Sequence, residues 1–155
     1  MIYSLLLWLH VIGATILLGT GAGIAFFMVM AHRSGNADVI AHVAGTVVVA
    51  DFLFTATAVA AQPITGAALM MIQGWPLTTP WIALALFLYG VIGLFWVPVV
   101  FMQIRMRDLA RAAADQGGPL PAAYHQLYRR WFAFGFPAFF AVLAILWLMI
   151  AKPAL

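Results

Sequence analysis

The chain has 155 residues, of which 66% are hydrophobic and 7% charged, and its mean hydropathy is +1.09. Since roughly a quarter of the residues in soluble domains are charged, this composition indicates an integral membrane protein and excludes an ordinary soluble one. The formal net charge of +3 comes from basic residues that lie between apolar stretches, so it argues against a nucleic-acid partner.

The first apolar stretch, residues 3–30, is long enough to cross a bilayer as a helix, since about 20 residues suffice. It lacks the basic start and short apolar core of a secretory signal, so we expect it to be retained. Its only histidine, acidic or basic residue is His10. An ionisable side chain within a membrane span is costly, and His10 is therefore a candidate functional residue.

Three further apolar stretches follow, at 39–72, 81–104 and 131–151. The second is longer than a bilayer requires, which predicts a tilted, kinked or protruding helix. The polar segment 105–130 is expected to continue the third helix for some residues, until Gly117 and Gly118 break it. These patterns predict a single all-α domain over residues 1–155, built as a four-helix transmembrane bundle.

Basic residues predict how the bundle is oriented. The turn between the first two spans carries Arg33, the 105–130 loop carries five arginines, and the turn between the second and third spans carries none. Because cytoplasmic loops are enriched in Lys and Arg, both basic loops should be cytoplasmic, with both termini on the outer face. We therefore expect a multi-pass protein of the bacterial inner membrane.

A stripe of polar and small residues follows one face of the second span. Asp51, Thr55, Gln62 and Gly66 recur at helical spacing, so this face should point into the bundle and not toward lipid. Asp51 suits either a structural hydrogen bond or a functional role, whereas a structural role is favoured for Gln62. At about 1.5 Å per residue, Gln62 and Tyr89 of the third span should lie near the level of His10.

The histidines fall at two levels of the membrane. Gly13 lies on the His10 face, where small residues permit close helix packing or leave room for a flat cofactor. His32 is about 33 Å further along the same helix, so it cannot share a metal with His10. His32 and His42 flank the first cytoplasmic turn and offer a second metal or haem site, although solvated histidines are more usual there. His125 is expected at the surface.

Prolines 63, 98 and 137 lie within spans, and each frees the backbone carbonyl four residues earlier, at Val59, Leu94 and Ala133. Each predicts either a simple kink or an opening for a cofactor. The lack of cysteine excludes disulfides, thiolate metal sites and thiol nucleophiles. The sequence has no nucleophile with an adjacent base, no phosphate-binding glycine loop and no paired carboxylates, so it does not indicate an enzyme class.

Several motifs resemble a bacterial family of small integral membrane proteins of unknown function, over nearly the whole chain. These are Leu9-His10-Val11-Ile12-Gly13, Ala31-His32-Arg33-Ser34-Gly35, Ala50-Asp51, Gln62-Pro63-Ile64-Thr65-Gly66 and Gln103-Ile104-Arg105-Met106-Arg107-Asp108-Leu109.

A more distant resemblance is to the HemJ-type protoporphyrinogen oxidases, which are also four-helix membrane proteins. It is carried by His10, His32 and the series Arg130-Trp131-Phe132, Pro137 and Lys152-Pro153. This resemblance implies binding of haem b through His10. The lysine of that family's third helix is replaced by the apolar residues 83–85, so the likeness does not extend to the oxidase activity.

These observations lead to a haem-binding membrane protein, HemJ-like or cytochrome b-like, as the first hypothesis, with His10 as axial ligand to haem b. The other candidate cofactor-binding residues are Gln62, Tyr89, Asp51 and Arg130; Arg130 is suited to porphyrin propionates but equally to lipid phosphates. Two alternatives stay open: an accessory subunit of a larger membrane complex, and a metal or ion transporter. The expected partners are the lipid bilayer and a second copy or a larger complex.

Overall fold

The computed structural model describes residues 1–154, and these residues form helices joined by short turns, without a β-strand. The helices are α1 (Ile2–Ser34), α2 (Ala37–Ala50), a π-helical turn (Asp51–Thr55), α3 (Ala56–Gln73), α4 (Pro80–Asp115) and α5 (Ala122–Ala151). Since α2, the π turn and α3 are continuous, the described chain has four helices long and apolar enough to span a membrane. The predicted all-α fold with four membrane-length helices is confirmed.

The turn between α1 and α2 is set by two adjacent residues. Gly35 ends α1 in the left-handed conformation with φ of 63°, which glycine adopts without a Cβ clash. Asn36 then caps α2, because its side-chain oxygen accepts from the backbone N–H groups of Asp38 and Val39. The chain therefore reverses within two residues, and α2 runs back along α1.

The segment 105–130 is helical almost throughout. Helix α4 continues to Asp115, as the sequence predicted, and α5 already begins at Ala122, nine residues before the apolar stretch that defined the fourth span. With 36 residues, α4 is about 54 Å long, well beyond the roughly 30 Å of the hydrocarbon layer. Both helices consequently extend past the membrane at one end of the bundle. This end holds the turns 35–36 and 116–121 and is called the arginine-rich end.

The helices pack as two pairs. Helix α1 lies along α2, the π turn and α3, whereas α4 packs on α5 over its length and on α2, but makes few contacts with α3. The larger apolar core is at the arginine-rich end, where Met28, Ile40, Met106 and Tyr124 are fully buried. Toward the opposite end, called the His10 end, the α1–α3 pair therefore lies more loosely against α4 and α5.

Candidate functional site

His10 is held by a hydrogen bond to Thr65 of α3. The His10 Nδ1 atom lies 2.8 Å from Thr65 Oγ1, which itself lies 2.8 Å from the Ala61 carbonyl oxygen. The hydroxyl has one proton, and its distance from the Ala61 carbonyl is that of a hydrogen bond. A Thr65 hydroxyl that donates to this carbonyl accepts from His10, and the imidazole then carries its proton on Nδ1 and a lone pair on Nε2.

Two glycines allow α1 and α3 to approach each other around this histidine. The Gln62 side-chain amide donates to the His10 carbonyl oxygen over 2.8 Å, and a Cβ at Gly13 would collide with that amide nitrogen. A Cβ at Gly66 would lie 3.3 Å from His10 Cε1. Close helix packing, one of the two uses predicted for Gly13, is therefore what the structure contains there, and Gly66 lies in the same close contact between α1 and α3.

Tyr89 bridges the two helix pairs. Its hydroxyl donates to the carbonyl oxygen of Val59, which is the acceptor that Pro63 frees by lacking an N–H. Gln62 and Tyr89 also line one cavity of about 40 Å³ between the four spans. That volume holds one or a few water molecules and is far below the roughly 300–1,000 Å³ of pockets for organic ligands. Gln62 thus contacts His10 directly, whereas Tyr89 shares the cavity with Gln62 and is bonded to Val59.

Asp51 belongs to a different network. It is 4% exposed at the first position of the π turn, and its Oδ1 accepts from Trp96 Nε1 over 3.3 Å. The Gln103 amide lies between Asp51 and Trp131. In the orientation that satisfies both neighbours, its nitrogen donates to Asp51 Oδ2 over 3.3 Å and its oxygen accepts from Trp131 Nε1 over 3.2 Å.

This network has an N–H donor at each end, on Trp96 and on Trp131. Both indole N–H groups donate toward the middle of the network, so one residue between them must accept hydrogen bonds on both of its sides. A carboxyl group with two accepting oxygens does so. Two neutral amides in series would leave one pair of N–H groups facing each other. Thr55, one turn further along, is also buried. Asp51 therefore has a defined structural role in joining α2 to α4 and α5.

The remaining histidines lie at the arginine-rich end. The His32 ring stacks on Tyr128 with 3.6 Å between centroids, and its Nδ1 is 3.4 Å from the Tyr124 hydroxyl oxygen. His125 is exposed and meets His32 edge to face. His42 faces a separate groove. Residues 1–154 contain no group of three or more His, Cys, Asp or Glu side chains placed to hold a metal ion.

Arg130 is exposed at the arginine-rich end, directly before Trp131 and two residues after Tyr128. It lies at the opposite end of the bundle from His10, so the structure does not bring these two candidate residues together. Gln62 contacts His10 and shares a cavity with Tyr89, whereas Asp51 faces Trp96 and Gln103. The candidate residues thus separate into three places: the His10 network, the Asp51 network and the arginine-rich end.

The sequence allowed a structural hydrogen bond at Asp51 but did not identify its partners Trp96 and Gln103, and it did not indicate the stacking of His32 on Tyr128. The available signals were spacings: Trp96 and Gln103 are two helical turns apart on one face, and Tyr124 and Tyr128 are one turn apart. Spacing identifies a shared face but not the helix that it meets. These contacts follow from how the helices are arranged in the bundle.

Comparison with known proteins identifies the family. A family model described as "Predicted integral membrane protein (DUF2269)" matches residues 4–153, nearly the whole chain. The chain belongs to this family. No curated protein and no solved structure matches it, and none of these comparisons supports the likeness to HemJ-type oxidases. The family and the four long apolar helices make this a multi-span membrane protein in contact with the lipid bilayer.

Proposed function

We propose that the protein binds haem b within the membrane, with Nε2 of His10 as an axial ligand. The observation that carries the proposal is the hydrogen bond between His10 Nδ1 and Thr65 Oγ1. A histidine that ligates a metal usually donates its other ring N–H to a neighbouring acceptor, which fixes both the tautomer and the ring orientation. The Thr65 hydroxyl is placed to be such an acceptor for His10.

The surroundings of His10 favour a ligand role over a charged or solvated one. The side chain is partly buried in a membrane span, where neutral imidazole is less costly than imidazolium. Gly66 leaves the ring closely packed on one side, so few orientations are open to it. Neutral imidazole is a common axial ligand to haem iron, and haem b when bound would supply a one-electron redox couple.

The donor at His10 fits haem, but the closed interior of the bundle does not hold a porphyrin. The cavity of about 40 Å³ beside Gln62 is too small for a macrocycle. A porphyrin at His10 would therefore bind at the lipid-facing or partner-facing surface of α1 and α3, or in a gap opened between the two helix pairs. Apart from the Tyr89 hydrogen bond to Val59, α3 and α4 make few contacts, so a gap between the two pairs could open along this seam.

Ion transport through Asp51 has less support from the geometry. N–H groups of Trp96 and Gln103 point at the two carboxyl oxygens, and such donors stabilise an anion and repel a cation. The carboxyl group is also closed off, with only 4% of the residue exposed. The same contacts are what a structural residue requires.

An absorption spectrum of the purified protein in detergent, before and after addition of haem, tests the proposal. We expect a Soret band in the wild type that is lost or much weakened in His10→Ala and retained in His42→Ala, the matched histidine control at the other end of the bundle. Empty detergent micelles give the background for free haem, and a thermal unfolding curve shows that each variant is folded.

Two results would contradict the proposal. One is the lack of a protein-dependent Soret band even with excess haem, and the other is equal haem binding by His10→Ala and the wild type. If a second protein co-purifies in mild detergent while no haem binds, the accessory-subunit alternative replaces it.

A further inference from the structure

We propose that a groove between α2 and α4 at the arginine-rich end binds one phospholipid with an anionic headgroup, through its phosphate at Arg111. The groove has a volume of about 540 Å³ and is lined by Ala41, His42, Gly45, Thr46, Val49 and Arg111. It is separate from both the His10 and the Asp51 networks, so the proposal does not depend on haem binding.

The exposed Arg111 side chain lies against α2 at Gly45. A Cβ at Gly45 would stand 3.1 Å from Arg111 Nη2, so the lack of a side chain there leaves room for the guanidinium group. Arg111 and His42 line the same groove. Arg111 thus gives the groove a cationic end.

The Arg111 guanidinium has no acidic partner in the structure. Among residues 1–154, the one arginine that forms an ion pair is Arg107, whose Nη2 lies 2.8 Å from Asp108 Oδ1. No carboxylate lies within 4.0 Å of Arg111, and its guanidinium donates no hydrogen bond within these residues. Its N–H donors, in a planar fork that matches a phosphate group, are therefore free to bind an anion.

The other end of the groove is apolar and lies further from the arginine-rich end, toward the membrane centre. Val49 is 63% exposed and is seven residues, or about 10 Å, along α2 from His42 in the direction of the membrane centre. The groove thus joins a cation at the membrane boundary to a hydrocarbon-facing wall. A phospholipid has this distribution of charge and apolar surface, whereas a free phosphate ion would use only the Arg111 end.

Native mass spectrometry of the full chain in detergent, with added phosphatidylglycerol or phosphatidylcholine, tests the proposal. We expect phosphatidylglycerol to bind in preference, and Arg111→Gln to weaken its binding about tenfold, since a hydrogen bond to a charged group is lost. Gly45→Leu should weaken it similarly, because it fills the groove and keeps every charge. Arg129→Gln is the matched control, since it removes an exposed arginine at the same end, and should leave binding unchanged.

Three outcomes would overturn the proposal. Equal losses in Arg111→Gln and Arg129→Gln would indicate diffuse attraction of anionic lipid to the basic surface. Full binding by Gly45→Leu would show that the groove is not used. Protection against thermal unfolding by inorganic phosphate, as strong as that by phosphatidylglycerol, would make it a site for free anions. If Gly45→Leu does not fold, Thr46→Trp replaces it, because Thr46 is an exposed residue that lines the groove; binding at wild-type strength by Thr46→Trp would then exclude the groove.

Discussion

Replacing Asp51 by asparagine preserves the shape of the side chain but should destabilise the bundle. The Trp96 and Trp131 N–H groups both donate inward, so the two groups between them must offer an acceptor at each end. With an amide at position 51 as well as at Gln103, two N–H groups necessarily face each other. Asparagine is therefore not a conservative substitution at this position.

The expected magnitude follows from the burial of the network. Gln103 is 2% exposed and Asp51 4% exposed, so water cannot satisfy the facing donors. A buried donor without an acceptor costs about 1–3 kcal/mol, which predicts a loss of about 2 kcal/mol or more in the free energy of unfolding for Asp51→Asn. Adding Trp131→Phe should reduce that loss by about 1–2 kcal/mol. Without the Trp131 N–H, Gln103 is free to turn its amide over, so that its oxygen accepts from the asparagine introduced at position 51.

Unfolding by sodium dodecyl sulfate in mixed micelles, followed by tryptophan fluorescence or circular dichroism, measures these free energies in a double-mutant cycle. Trp81→Phe is the matched control, because Trp81 is also buried but lies in the other apolar cluster. It should be additive with Asp51→Asn. The reasoning is refuted if Asp51→Asn is as stable as the wild type, or if Trp131→Phe and Trp81→Phe change its cost equally.

Two further predictions concern the His10 end. Gly13→Ala should lower the free energy of unfolding by about 1 kcal/mol, because the new Cβ displaces the Gln62 amide. Gly19→Ala should be neutral or stabilising, because a Cβ there meets nothing within 4 Å. Equal shifts in the thermal unfolding temperature of the two variants would contradict this prediction. Tyr89→Phe should lower the free energy of unfolding by about 1–3 kcal/mol, because it leaves the Val59 carbonyl unpaired. The loss should be smaller in the presence of Pro63→Ala, which restores the missing backbone donor. Additive losses in the unfolding assay would contradict this prediction.

Much of the fold could be predicted from the sequence because it depends on local patterns. Apolar stretches of membrane length gave the four spans, and glycines 117 and 118 marked the end of α4. Pro63 predicted a free carbonyl at Val59, and the structure shows that Tyr89 satisfies it. Each of these features depends on one helix or one turn, and they are the kind of feature that residue spacing encodes.

The polar face of the second span points into the bundle as predicted, with Asp51 and Thr55 buried and Gln62 partly buried. Its partners could not be predicted in the same way, because the Asp51 side chain bonds to α4 and the Gln62 side chain bonds to α1. The π turn that begins at Asp51 contains hydrogen bonds from residue i+5 to residue i, which rotate α3 relative to α2. The α-helical spacing of 3.6 residues per turn does not include the wider π turn. It therefore places Asp51 and Gln62 on one stripe.

The tautomer of His10, on which its proposed role as a ligand depends, can be measured directly. Two-bond ¹H–¹⁵N correlation spectra of the histidine rings, with the His10 signal assigned from its absence in His10→Ala, distinguish the two neutral tautomers and the cation. We predict a proton on Nδ1 and none on Nε2 at neutral pH, with this preference lost in Thr65→Val. A His10 ring with its proton on Nε2, or with protons on both nitrogens, would contradict it.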